Sequence, residues 1–137
     1  MATDRSLGMK TTSGAYALQN ATAIQDAFIV GKAREAGMIV IGKANLGKLN
    51  GFKDNNLSPG FSQLGGEAVS PYDLEHLCGS SAGPAAAVAA GFAPFAFGTE
   101  TQGSISCPAS FTALYGLKVS TGLLSRTGIL PSSTNYF

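Results

Sequence analysis

A chain of 137 residues suits one domain and is long enough to bury a sizeable core. It is 45% hydrophobic and only 12% charged, with 18 glycines; ordinary soluble domains carry roughly 25% charged residues, so part of this surface is built to be covered, by a partner or by the rest of a larger domain. Nine basic against eight acidic side chains leave a formal charge of +1 and no basic stripe, which argues against a nucleic-acid partner or an anionic membrane surface.

The N-terminus, Met1-Ala2-Thr3-Asp4-Arg5, has an early acid and no apolar core, so it does not read as a signal peptide. Thr22-Ala23-Ile24-Gln25 has the letters of a capping box, with Asp26 suited to the helix dipole. Ala27, Phe28, Val30, Ala33 and Ala36 then recur at helical spacing, and Gly37 is a natural stop. Met38 to Ile41 is a short, continuously apolar run closed by Gly42, the pattern of a buried strand in an α/β layer. Residues 22–42 therefore read as one αβ unit.

From Asn50 to Gly79 turn formers replace apolar periodicity: Asn55-Asn56, Ser58-Pro59-Gly60, Gly65-Gly66 and Ser70-Pro71. An irregular stretch of that length inside a domain is uncommon and often carries function. Gly79-Ser80-Ser81-Ala82-Gly83 then opens a helix, with Pro84 in its first turn and Ala85 to Ala90 as strong helix formers. Phe92 to Phe97 reads as a strand, blemished by Pro94. Gly98 to Ser104 is a glycine-bounded turn, and Pro108 to Phe111 starts another helix. The most apolar stretch, Ala85 to Phe97, is too short to span a bilayer. Cys78 and Cys107 are too few for a disulfide framework, and one histidine leaves a zinc site short of ligands, so neither metal nor cofactor is expected.

Chemistry concentrates in two serine-bearing turns, Gly79-Ser80-Ser81 and Gln102-Gly103-Ser104. Each lies where a loop feeds a helix, and backbone N–H groups there are unpaired and point forward. A nucleophilic serine at such a place has main-chain oxyanion donors beside it. Taken alone, a serine next to glycine is most often an N-cap or turn residue. A phosphate-cradling loop is a third reading, weakened because Gly83 is not followed by the Lys-Ser/Thr of a P-loop. His76, the single histidine, reads as structural rather than as a base.

The ordered run Cys78-Gly79-Ser80-Ser81-Ala82-Gly83 through Gly91, then Gly98-Thr99-Glu100-Thr101-Gln102-Gly103-Ser104-Ile105, then Cys107-Pro108-Ala109, Gly116-Leu117-Lys118 and Gly122 with Ser125-Arg126 and Gly128, resembles the amidase signature. Arg34-Glu35-Ala36-Gly37 and Ile41-Gly42-Lys43-Ala44-Asn45-Leu46 are similar to the block preceding it in that family, and the Asn55 to Tyr72 loop is similar to its eukaryotic branch. The resemblance covers nearly the whole chain. It implies an α/β fold, a mixed sheet flanked by helices, and makes residues 1–137 a single, incomplete amidase-signature domain cut at both ends.

It also implies hydrolysis of carboxamide C–N bonds, with a small-molecule amide as partner; the cytoplasmic location is expected from the N-terminus and the short apolar stretch read above. Ser104 would be the nucleophile and Ser80, after a cis Gly79–Ser80 bond, the bridging serine. Thr101, Gln102 and Gly103 would form the oxyanion site, with Ser81 supporting it. The family's third catalytic residue is a lysine in a Lys-Asp-Asn segment upstream of the stretch matching Ala2 to Thr12, so this sequence starts too late to include it. Lys43 reads as structural, and Lys53-Asp54-Asn55 imitates the motif on the wrong side of the αβ unit. An inactive scaffold is therefore the alternative to an active amidase. Self-association through exposed core surface is expected in either case.

Overall fold

The computed structural model describes residues 1–51, 56–75 and 77–131. His76 and the Lys53-Asp54-Asn55 triplet lie outside them. The elements are α1 (Phe28–Glu35), β1 (Phe61–Ser62), β2 (Gly66–Glu67), α2 (Ala82–Ala89) and α3 (Ser106–Phe111), with short 3-10 turns at Arg5–Leu7, Tyr16–Leu18 and Lys48–Gly51. The class is α/β. Among the described residues the sheet is one antiparallel pair, with Phe61 opposite Glu67 and Ser62 opposite Gly66.

The helix α1 starts at Phe28, after Ala27, which supplies no side-chain cap. Thr22 to Gln25 does not cap it, because the chain there is used otherwise. Ala23 forms a parallel bridge with Asp4. Asp26 accepts the Asp4 N–H at 2.6 Å and pairs with Arg34 at 2.6 Å, fastening the N-terminal arm to the helix. Ala27 N–H donates to the Ala2 carbonyl, Ala2 N–H to the Gly128 carbonyl, and Phe28 N–H to the Thr127 carbonyl, at 3.0, 2.8 and 3.1 Å. Two distant segments, around Ala2 and around Thr127, thus satisfy the start of α1 and are bonded to each other. Ala2, Ala27 and Val30 form its core, with Met1, Ala23, Ile29 and Val40 packed on it.

Met38–Ile41 and Phe92–Phe97 form no strand among the described residues. Val40 packs on the α1 core, but most of their large side chains are exposed, Ile39 to 86% and Phe92 to 75%. Interior positions go to small residues instead, among them Ala82, Ala85 and Ala109. The largest wholly buried side chains are Thr112, Pro108, Ser62 and Ser70. Hydroxyl groups are therefore part of this interior, and burying one without a partner is costly. Thr112 donates to the Pro108 carbonyl at 2.8 Å. Ser62 donates to Asn45 Oδ1 at 2.7 Å, and Asn45 Nδ2 donates to the Gly66 carbonyl at 2.8 Å.

Candidate active site

The Gly79-Ser80-Ser81 loop is clamped by backbone on two sides. A Cβ at Gly79 would run into the Pro59 carbonyl, and one at Gly83 into the Asn45 backbone. Glycine is needed at both because main chain, not a yielding side chain, fills the space. The Ser80 carbonyl accepts the Gly47 N–H at 3.0 Å. The Gly79–Ser80 peptide bond is cis. Ser80 and Ser81 are buried, and α2 starts directly after them.

The second turn is joined to the first by three links. Ser81 N–H donates to the Ser104 carbonyl at 3.1 Å. Ser81 Oγ donates to the Thr99 carbonyl at 3.1 Å and accepts the Thr99 N–H at 3.0 Å, like a short piece of ladder made by one side chain. Cys78 and Cys107 form a disulfide with Cα atoms 6.0 Å apart, so the residue before Gly79 is bonded to α3. Ser80, Ser81 and Ser104 are thereby brought together from two separate loops. No hydrogen bond joins the Ser80 and Ser104 hydroxyls among the described residues; the link between the two turns is main-chain, side-chain-to-backbone and covalent.

Ser104 and Gly103 are half-buried, and Thr101 and Gln102 are exposed. Gly103 has φ +79°, the left-handed region that glycine enters without penalty. The carboxylate of Glu100 folds back over this turn. Its Oε1 accepts the Gly103 N–H at 2.7 Å, its Oε2 accepts those of Ile105 and Ser106 at 2.8 and 2.9 Å, and the Ser106 hydroxyl adds a longer bond of 3.2 Å. Desolvation works against ionisation of Glu100, but the donors from Ser106, Ile105 and Gly103 together outweigh it and hold the carboxyl below its ordinary range.

The Gly103 N–H is taken up by Glu100. Among the described residues the N–H groups of Thr101, Gln102 and Ser104 remain without a protein acceptor. Glu100 is the residue in this turn that the motifs did not single out. Its signal was there: an acid shortly before a left-handed glycine and a helix start is placed to cap that helix.

Lys43 Nζ donates to the Lys10 carbonyl at 2.9 Å and to the Thr11 hydroxyl at 3.0 Å, and burial lowers its pKa. It thus secures the N-terminal arm, beside an open cleft of about 320 Å³ whose lining includes Thr12, Asn45 and Ser62 but neither Ser80 nor Ser104. Among the described residues no group of three or more His, Cys, Asp or Glu could hold a metal. No helix there is long and apolar enough to cross a membrane.

Two serine turns are thus braced against each other, each leading into a helix, in an α/β frame. The chain belongs to the amidase family: the family model described as Amidase matches residues 5–136. A Schizosaccharomyces pombe protein named as an amidase is 42% identical over 126 residues, which is 91% of this chain and 22% of that protein. A glutamyl-tRNA(Gln) amidotransferase subunit of Psychrobacter is 45% identical over 124 residues, 90% of this chain and 24% of its own. Among solved structures, native peptide amidase from Stenotrophomonas maltophilia superposes with a TM-score of 0.87 at 47% identity, covering 90% of this chain and 25% of that one. The corresponding amidotransferase subunit from Thermotoga maritima gives 0.79 at 41%, covering 88% and 26%. The chain spans about a quarter of the length of the relatives it matches.

Proposed function

We propose that this chain carries the nucleophile portion of an amide-hydrolysing site, acting on a small-molecule carboxamide. Ser104 Oγ attacks the carboxamide carbon, the C–N bond breaks with loss of ammonia or an amine, and water then releases the acyl group. Serine is a poor nucleophile near neutral pH and needs a proton acceptor within reach. Ser80 passes that proton to the amine of the family's lysine, which desolvation keeps neutral. The N–H groups of Gln102 and Ser104, with Thr101 beside them, receive the developing oxyanion, and Ser81 braces the two turns. The observation that carries this reading is the Ser81 N–H to Ser104 carbonyl bond, which holds the two serine loops side by side.

The test is covalent labelling with a serine-directed fluorophosphonate, read by mass spectrometry of the modified peptide. It is run on this chain and on a chain extended upstream into a Lys-Asp-Asn segment. Label on Ser104 in the extended chain, abolished by Ser104→Ala and cut at least about 10²-fold by Ser80→Ala, is the expected result. Label on no serine in either chain would mean an inactive scaffold.

A cytoplasmic location and self-association belong to the same reading. Thiols are kept reduced in the cytosol. Trapping thiols in intact cells should therefore find Cys78 and Cys107 alkylated, and a persistent disulfide there would place the protein in an oxidising compartment.

A further inference from the structure

Glu100 stands out because its charge is met by three backbone N–H groups and the Ser106 hydroxyl. No cation pairs with it among the described residues, and no neighbouring charge helps set its ionisation. Its bonds run to Gly103, Ile105 and Ser106, which flank Ser104 on both sides. Just upstream, both backbone groups of Thr99 are held by Ser81. An unbroken chain of short bonds therefore runs from the Ser80–Ser81 loop through Thr99 and Glu100 into the Ser104 turn.

We propose that Glu100 is a positioning residue for Ser104: its carboxylate takes the N–H groups of Gly103, Ile105 and Ser106, fixes the turn, and leaves those of Gln102 and Ser104 as the pair presented to an oxyanion. The inference rests on the reading of Ser104 as nucleophile. Its physical basis is the acceptor count. A carboxylate has about four lone-pair sites and can take every one of these donors at once, in charge-assisted bonds roughly twice as strong as neutral ones. An amide at this position would accept on one atom only and turn its NH2 donors against N–H groups. The turn would then have to rotate at least one N–H away, and the spacing of the remaining two would change with it.

Two measurements test this. The first compares fluorophosphonate labelling of Ser104 in wild type, Glu100→Gln and Glu100→Asp, separating the maximal inactivation rate from the half-saturating concentration. Glu100→Gln is expected to lower the maximal rate about 10²-fold, the scale of losing one oxyanion donor, with half-saturation unchanged. Glu100→Asp, which keeps the charge, should recover most of the rate. Equal labelling of wild type and Glu100→Gln overturns the proposal, as does equal loss in both variants when their circular dichroism is native. The second follows the backbone amide resonances of this 137-residue chain against pH, and needs no activity. Those of Gly103, Ile105 and Ser106 should shift together with one midpoint on the acid side of an ordinary glutamate. Independent or absent shifts overturn the anchoring role, even if the variants fail to fold. If wild type labels at no serine while the amides titrate together, the nucleophile reading has failed and the anchoring of the turn has not.

Discussion

At Gly83 two effects of opposite sign meet. Alanine in place of glycine inside a helix is worth about 1 kcal/mol in favour of the helix. Here the added methyl would press into the backbone of Asn45, which its own bonds to Ser62 and Gly66 hold in place. Overpacking of that kind costs about 1–3 kcal/mol, so Gly83→Ala should lower stability, by up to about 2 kcal/mol after the helical gain is subtracted. A raised unfolding midpoint in urea would show that the Asn45 segment can move aside. The same scale decides the response to acid. Backbone donation from Asp4 and the Arg34 guanidinium lower the Asp26 pKa, and the donors around Glu100 lower that one. A carboxylate whose folded pKa is depressed contributes stability that is fully present above its unfolded pKa, near about 4, and is lost as pH falls through the lower, folded value. The melting temperature should therefore be level from about pH 6 to about pH 5 and drop below about pH 4. Asp26→Asn should flatten part of that drop.

Among the elements, those that sequence displayed well are the ones whose cause is local. Ala82–Ala89 forms a helix because alanine favours it and Pro84 sits in the first turn, where its missing N–H does no harm. The two serine turns were legible as glycine-bounded loops feeding helices, and their pairing came from resemblance to a family rather than from spacing. What was not legible was set from far away. The capping letters of Thr22 to Gln25 lost to a bridge between Ala23 and Asp4, so α1 begins at Phe28 rather than just after Thr22. Glu100 is a different case: its partners lie only three to six residues on, and the acid before a glycine and a helix start was a local signal that the motif reading passed over. Ser81 joins the two turns through Thr99, and Ser81→Ala would leave a half-buried N–H and carbonyl without their partner. At about 1–3 kcal/mol for a buried polar group left unsatisfied, the loss should be plain in a urea titration; a change below about 0.5 kcal/mol, the scatter of surface substitutions, would mean that water replaces the hydroxyl.

Across the whole molecule, the low charge of the sequence finds its counterpart in where the large side chains lie. Ile39, Ile41, Phe92, Tyr115 and Leu117 are all strongly exposed, while alanine, serine and threonine fill the interior. Unpaired segments with such side chains invite pairing with another chain. Sedimentation velocity of the purified chain should show species whose size grows with concentration, and binding of a hydrophobic dye should be strong. A single monomeric boundary across a wide concentration range would refute this.

The Cys78–Cys107 bond also has a topological consequence. It closes residues 78 to 107 into a covalent loop that contains Ser80, Ser81, Glu100 and Ser104, with the exposed Ala90-Gly91-Phe92 corner at its outer end. In purified protein oxidised to this bond, a protease that cuts at that corner would open the loop without releasing either half. The nicked protein should migrate as one species on a denaturing gel and separate into two only after a reductant is added. Both serines would then still be tethered on either side of the break, one on each fragment.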